Sequence, residues 1–549
     1  MTEKKNINEW WKNSVVYQIY PRSFQDSNND GIGDIPGIIS RLDILKELGI
    51  DVIWLSPVYQ SPDADNGYDI SDYRAISPKF GTMADMEALI KEAGKRGIKI
   101  IMDLVINHTS DEHEWFIKSK NGDKAYRDYY IWQKGKGKNK PPNNWRGFFM
   151  NDVWQYDENS GEYYLHLFDK KQPDLNYRNE KVIQEVKDIL KFWLDKGIAG
   201  FRCDVINILY KDSFANGKFS TSPIRGLEHY RLSSKTHEIL RRLRQEVLVN
   251  YDCFTVGETV MIDLAGAQKL LDPQYKELDM LFFFDHLEVD RYIYRYIPKP
   301  FVAKKLLEVL TKWQQGLPWN AVYLENHDQP RIVSHYGDDG QYWERSAKML
   351  ALMQLTLRGT IFIYQGQEIG MTNFDFTELQ QLQDVESYNI DSFMKKLLIP
   401  KKLRWQWIKV SSRDNARTPL QWSDKKGAGF SLASPWLAIN SNHERINYES
   451  QKKNDDSILA FYKALIALRH SSETLVAGSF TPLYGDKNLM IYQRTLGKES
   501  YVTLLNFSKK TVKINLPLSG EVVITNVGDK EYRGELLAFQ GLVMKLESE

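Results

Sequence analysis

Asp204, Glu258 and Asp328 each close a short apolar run: Gly200-Phe-Arg-Cys-Asp204, Phe254-Thr-Val-Gly-Glu258 and Val322-Tyr-Leu-Glu-Asn-His-Asp328. Such runs predict parallel strands buried on both faces. Carboxylates at the C-terminal ends of barrel strands sit where a barrel enzyme does its chemistry. A retaining cleavage of a glycosidic bond needs one carboxylate as nucleophile and one carboxylic acid as proton donor, about 5 Å apart. Asp204 and Glu258, on adjacent strands, suit that pair. The donor must keep its proton near neutral pH, so a neighbouring carboxylate, Asp328, should raise its pKa. Asp328 could also hold sugar hydroxyls. Arg202 lies two residues before Asp204, on the same strand face, and would keep it ionised. His108 and His327 are placed to donate hydrogen bonds to sugar hydroxyls. Any one of these residues alone would be an ordinary strand-end side chain. Together they form a constellation.

Eight strands must position these groups. They are predicted at Val15–Tyr20, Asp51–Leu55, Ile98–Val105, Gly200–Val205, Phe254–Glu258, Met280–Phe284, Val322–His327 and Thr360–Tyr364. Helical patterns alternate with them at Ile38–Leu48, Met83–Arg96, Glu180–Lys196, Leu232–Val247, Val302–Gln314 and Glu344–Leu357. Glycines after Leu48 and Arg96 supply helix stops. Eight strand–helix units argue for an α/β class closed barrel rather than an open doubly wound sheet. Two segments break the alternation. Residues 107–177, rich in Trp, Tyr, Asn, Gly and Lys, read as an insertion after the third strand. Residues 473–549 turn to short alternating strands, at Leu489–Arg494, Tyr501–Asn506, Val512–Leu516, Val522–Thr525 and Leu542–Leu546, and predict a small antiparallel β domain. The barrel would then occupy residues 1–106 and 178–472.

The ordered motifs Asp103-Leu-Val-Ile-Asn-His108, Gly200-Phe-Arg-Cys-Asp-Val-Ile-Asn207, Gly257-Glu258 and Glu325-Asn-His-Asp328 strongly resemble the α-amylase family of retaining glycoside hydrolases. Gln172-Pro-Asp-Leu-Asn176, Asp65-Asn-Gly-Tyr-Asp-Ile70 and Arg413-Asp-Asn-Ala-Arg-Thr-Pro419 resemble its oligo-1,6-glucosidase branch. The resemblance implies a (β/α)8 TIM barrel with an inserted domain B and a C-terminal β domain. It implies Asp204 as nucleophile, Glu258 as acid/base and Asp328 as transition-state stabiliser. Asp65, Tyr68, His108, Arg202, His327 and Arg417 are implied in gripping the non-reducing glucose, with Phe149 and Phe168 as aromatic walls. Val205, directly after the nucleophile, resembles enzymes acting on α-1,6 bonds, where α-1,4 enzymes carry threonine. One such contact shifts selectivity by about 1–3 kcal/mol. A β-branched residue simply completing a strand is the plain alternative, and trehalose-6-phosphate hydrolases of the family share the Asp-Val-Ile-Asn pattern.

Asp26, Asn28, Asp30 and Asp34 alternate along one loop, with Gly31 at the turn and the Ile32 carbonyl free to point inward. That spacing resembles the first part of an EF-hand loop, although Gly37 stands where its final glutamate would be. Hard oxygen donors favour Ca2+, in a structural role. A polar turn without metal is the alternative.

The chain has 549 residues and a formal net charge of +1, so charge gives no reason to expect nucleic acid or an anionic membrane as partner. The basic run Lys134–Lys140 reads as a solvated loop. The opening Met1–Asn6 has no apolar leader core behind it, and no apolar run is long enough for a bilayer. The two cysteines, Cys203 and Cys253, lie in or beside core strands and are no disulfide framework. These readings point to a cytoplasmic protein, a monomer or weak homo-oligomer, with a small oligosaccharide as substrate. The leading reading is an exo-acting α-glucosidase on isomaltose and short isomalto-oligosaccharides. The rivals are a trehalose-6-phosphate hydrolase, which needs a cation beyond the scissile bond, and a sucrose isomerase or other glucosyl-transferring relative. A non-catalytic partner subunit of a transporter would have lost the carboxylates and carried a membrane anchor.

Overall fold

The computed structural model describes residues 9–137, 140–218, 224–292, 296–528 and 530–547. The Met1–Asn6 run and residues 138 and 139 of the basic loop lie outside these. All eight predicted strands form one parallel sheet. They are β1 (Val15–Ile19), β2 (Val52–Leu55), β3 (Lys99–Leu104), β4 (Gly200–Cys203), β5 (Phe254–Glu258), β6 (Met280–Phe282), β7 (Ala321–Val322) and β8 (Thr360–Tyr364). Their order is β6-β5-β4-β3-β2-β1-β8-β7. In register, Val16 faces Val52 on one side of β1 and Phe362 on the other. The ring closes between β6 and β7, where Cα atoms approach within 8 Å. Side chains seal that seam: Phe282 and Tyr323 meet edge to face at 4.9 Å, and the Tyr323 hydroxyl donates to the Phe283 carbonyl at 2.9 Å.

The strands are continuous apolar runs because helices cover them outside and side chains fill them inside. The helix Glu180–Asp195 shows the fit. Asn179 caps it, and Val182, Ile183, Val186, Ile189, Leu190 and Trp193 recur at helical spacing on its buried face. Gly200 opens β4 at φ +142°, and a Cβ there would stand 1.9 Å from the Phe254 carbonyl oxygen. Only glycine lets β4 lie this close to β5.

Several predicted elements differ. β4 stops at Cys203 rather than Val205, because Val205 adopts a left-handed turn at φ 35°, ψ 41°. That conformation is costly for a β-branched side chain. β7 is cut to two residues, since Tyr323–His327 leave the ladder to serve the seam and the cavity. The single helix expected at Ile38–Leu48 is two, Ile35–Ser40 and Leu42–Leu48. They part at Arg41, whose guanidinium donates to Gln25 Oε1 at 2.6 and 2.9 Å and lies 4.3 Å over the Trp422 ring.

After β3 comes a three-stranded sheet, Trp132–Gln133, Glu162–Leu165 and Trp154–Asp157, with its own core around Trp145, Phe148 and Leu167. After β8 comes a helical hairpin, Val385–Lys396 and Lys401–Ser411, that the strand–helix alternation did not anticipate. The C-terminal sheet has five antiparallel strands: β9 (Ser479–Gly485), β10 (Leu489–Leu496), β11 (Glu499–Asn506), β12 (Gly520–Thr525) and β13 (Gly541–Leu546). The predicted strand at Val512–Leu516 is not among them. Val512–Lys513 pairs with Glu535–Leu536 instead. Among the described residues no helix is long and apolar enough to cross a membrane.

Candidate active site

The C-terminal ends of β3, β4 and β5 meet at one guanidinium. Arg202 Nη1 lies 2.5 Å from Asp103 Oδ1 and 2.6 Å from Asp204 Oδ1, and its Nη2 lies 2.8 Å from Glu258 Oε2. The Val205 amide also reaches Glu258 Oε2, at 3.3 Å. Arg202 is almost completely buried and packs against the rings of Trp54 and Tyr68. Burial raises the Asp204 pKa to about 6, against the pull of Arg202 and a hydrogen bond with Glu258. Burial raises Glu258 further, to about 7, with Arg202 opposing and the charges of Asp204 and Asp328 adding to the rise. The two carboxyl groups therefore part near neutrality: Asp204 as anion, Glu258 holding its proton.

Asp328 is the opposite case. Burial works against its charge, yet His327, Arg413 and Arg417 hold it well below the usual carboxylate range. Arg417 Nη2 lies 2.7 Å and Arg413 Nη1 3.3 Å from Asp328 Oδ1. His327 Nε2 lies 3.1 Å from the other oxygen. The Gln18 amide donates to His327 Nδ1 at 2.8 Å, so the proton of the neutral ring is on Nε2, toward Asp328. The His327 ring is stacked between Tyr68, at 5.2 Å and 4°, and Tyr20, at 5.9 Å and 11°.

Of the residues predicted from sequence, Asp65, Tyr68, His108, Phe149, Phe168, Asp204, Val205, Glu258 and Asp328 line one cavity. Arg202, His327 and Arg417 stand one layer behind it, gripping its carboxylates or stacking on Tyr68. Phe168 lies at 5.1 Å from the His108 ring, and Phe149 meets Phe168 edge to face at 5.6 Å. The insertion thus supplies the aromatic wall, and the barrel supplies the carboxylates. Residues 18–478 match the alpha amylase catalytic domain. The chain belongs to the alpha-amylase family.

Among its curated relatives in the family is an oligo-1,6-glucosidase of Parageobacillus thermoglucosidasius, 48% identical over 522 residues and covering 92% of each chain. Of solved structures, the trehalose-6-phosphate hydrolase of Bacillus licheniformis is 43% identical, with TM-score 0.93 over 99% of this chain and 100% of that one. Isomaltulose synthase from Klebsiella sp. LX3 is 41% identical, with TM-score 0.94 over 98% and 99%. The fold is that of the family: a (β/α)8 barrel followed by an antiparallel sheet.

Sequence reasoning passed over Arg413, although it opens a motif in which Arg417 was singled out. Its Nη2 pairs with Asp384 at 2.7 Å and with Asp65 at 3.2 Å, and its guanidinium lies 5.3 Å over Phe149. It joins the floor of the cavity to the base of the helical hairpin. Asp103 opens the motif Asp103-Leu-Val-Ile-Asn-His108. It proves to be a buried partner of Arg202 and accepts from Trp54 Nε1 at 2.8 Å. Gln172 donates to Asp65 Oδ2 at 3.2 Å and lines the cavity.

The Asp26–Asp34 loop lies apart from the cavity wall. Asp26 accepts from the amides of Asn28, Asn29 and Gly31, Asn28 Oδ1 from Asp30, and Asp30 Oδ1 from Ile32. Asp34 caps the helix at Ile35 through Gly37 and accepts from Ser27. Among the described residues no three His, Cys, Asp or Glu side chains group so as to hold a metal. The predicted oxygen set also includes the Asn28 amide and the Ile32 carbonyl, which fall outside those types.

Proposed function

We propose that the protein is a retaining, exo-acting α-glucosidase that hydrolyses α-1,6 bonds of isomaltose and short isomalto-oligosaccharides from the non-reducing end. The oligo-1,6-glucosidase name of a relative at 48% identity supports it. The charge of the cavity wall carries the choice over a phosphorylated disaccharide. Among the described residues, Asp65, Asp204, Glu258, Asp285, Glu288, Asp328 and Glu386 line it against one guanidinium, Arg413. Arg413 already faces Asp65, Asp328, Asp384 and Glu386. A phosphate would find repulsion there and no uncommitted cation among the described lining residues, whereas sugar hydroxyls find acceptors.

The chemistry follows from the proton positions. Glu258 gives its proton to the glycosidic oxygen while an Asp204 carboxylate oxygen bonds to the anomeric carbon, and the C–O bond to the leaving sugar breaks. Asp328, held anionic by two guanidinium groups, grips hydroxyls and faces the positive charge of the oxocarbenium-like transition state. Glu258, now ionised, takes a proton from water as that water displaces Asp204. A sugar hydroxyl in place of water gives transfer instead of hydrolysis.

Val205 enters as part of the wall beside both carboxylates, with a left-handed backbone that its own shape disfavours. The test is initial rates on isomaltose, maltose, sucrose and trehalose-6-phosphate, with products identified. Dominant glucose release from isomaltose is expected. Preference for trehalose-6-phosphate, or isomerised sucrose as main product, would overturn the substrate while keeping the machinery.

The proposal includes a structural Ca2+ on Asp26, Asn28, Asp30, Ile32 and Asp34, and a cytoplasmic location in keeping with two buried free cysteines. Chelation should lower the melting temperature more than the rate at low temperature. An unchanged melting temperature would remove the metal from the account.

A further inference from the structure

Lys211 is fully buried, touches nothing in the cavity, and has no part in the steps above. It lies in the loop after β4. Its Nζ is 2.6 Å from Asp174 Oδ2 and 2.8 Å from Asn107 Oδ1, and it also reaches the carbonyls of Ile208 and Leu209 at 3.1 and 3.3 Å. Asp174 belongs to the insertion, where its Oδ1 accepts from the Leu167 amide at 2.9 Å. Asn107 precedes His108. One ammonium group thus ties the β4 loop, the end of β3 and the insertion together.

The hydrogen-bond arithmetic favours one arrangement. An ammonium only donates, so Asn107 must turn its carbonyl oxygen toward Lys211. A carboxylate only accepts, so the Asn107 Nδ2 must face Asp174 Oδ2, which it does at 3.1 Å. The same Nδ2 stands 3.3 Å from His108 Nδ1. A donor there makes Nδ1 the acceptor and places the ring proton on Nε2. His108 Nε2 then donates to the Tyr68 carbonyl, 3.1 Å away, on the cavity side of the ring. Gln172 Nε2, at 3.2 Å from the same nitrogen, has Asp65 Oδ2 and the Tyr68 carbonyl as its own acceptors.

We propose that the buried Lys211–Asp174 pair is a positioning device that fixes the tautomer of His108 through the amide of Asn107, so that Nε2 always carries the proton that anchors the ring to the Tyr68 carbonyl at the cavity wall. Burial lowers the His108 pKa, which keeps the ring neutral and makes the tautomer, rather than a charge, the variable to be controlled. Without both members of the Lys211–Asp174 pair, the Asn107 amide could turn over, present its oxygen to Nδ1, and draw the proton to that nitrogen. Nε2 would then face the Tyr68 carbonyl without a proton in a fraction of molecules, and the ring in each would lose its anchor at the cavity wall.

The test reads the tautomer directly, by nitrogen-15 NMR of histidine-labelled protein, with the His108 signals assigned by their loss in His108→Gln. The wild-type protein should show Nε2–H alone. Lys211→Met with Asp174→Asn should show both tautomers, and Asn107→Leu, which leaves the Lys211–Asp174 pair in place, should do the same. On isomaltose, KM should rise about tenfold with a smaller change in kcat, the loss of one well-aligned hydrogen bond. The kinetic readout rests on the proposed substrate. The NMR readout needs no substrate, so failure of the substrate and failure of the relay are separable. Removing both charges together leaves neither one buried alone. A folded double variant that keeps His108 wholly in the Nε2–H form would overturn the proposal.

Discussion

Two buried places in this molecule are built on arginine, and they do opposite things with it. At the cavity, Arg202 faces Asp103, Asp204 and Glu258. Where the barrel meets the C-terminal sheet, Arg469 and Arg494 face only carbonyl oxygens in their hydrogen bonds. Arg469 donates to Leu355, Leu357, Leu475 and Gly359, and Arg494 to Thr356, Thr474, Leu475, Gly478 and Ser479. Carboxylates hold the Arg202 pKa well above its usual value despite burial. Burial with no anion beside it pushes Arg469 down to about 9 and Arg494 well below the usual range. Carbonyls do not titrate, so the junction is a fastening. Carboxylates do, so the same side chain at the cavity sets which acid keeps a proton. Burial alone therefore does not mark a functional charge; the titratable partners do.

The sharpest way to break this comparison is at the cavity. Asp204→Asn should lower turnover at least about 10^4-fold while the fold and sugar binding persist. Wild-type-like turnover in the purified variant would remove Asp204 as nucleophile. Glu258→Gln should cost about 10^2–10^4-fold. In the unmodified enzyme, kcat/KM should rise with pH as the pair loses its first proton near 6 and fall as it loses the second near 7. The glutamine variant should lose the alkaline limb. The stability sign runs the other way. Glu258 has a folded pKa above its unfolded value, so the folded state binds the extra proton, and stability falls as pH rises from about 4.5 toward 7. Glutamine cannot ionise, so the melting temperature of Glu258→Gln should exceed wild type above pH 7 and match it more closely at pH 5.

At the junction the outcome should be reversed. Arg469→Met leaves buried carbonyls without donors and should cost at least about 3 kcal/mol of stability. Activity per folded molecule, measured well below the melting temperature, should be unchanged. A selective loss of kcat would blur the distinction between the two regions. The smallest effect belongs to Val205→Thr, which should move the isomaltose-to-maltose preference by about 1–3 kcal/mol. An unchanged ratio would return Val205 to a packing role.

The catalytic constellation was legible because barrel strands are nearly pure apolar runs, and a charge at the end of one stands out. Arg202 was legible from a two-residue spacing. Arg413 was not, because the helical hairpin that carries it to the cavity does not follow the strand–helix period. The Lys211–Asn107–Asp174 contact was out of reach for the same kind of reason. It joins residues about a hundred positions apart through three loops, and no local period encodes it. Val205 looked like the last residue of a strand, since its side chain prefers one. In the left-handed turn it adopts instead, its amide meets Glu258 Oε2.

The central claim is that Asp204 bonds to the sugar while Glu258 only moves protons. Glu258→Gln, mixed with α-glucosyl fluoride, tests it most directly. Fluoride leaves without needing an acid, and with no base to activate water the glucosyl-enzyme should accumulate. Peptide mass spectrometry should find one added glucosyl group on the peptide containing Asp204, and fragmentation should place it on that carboxylate. A label on another residue, or rapid fluoride release with no label at any time, would contradict the account.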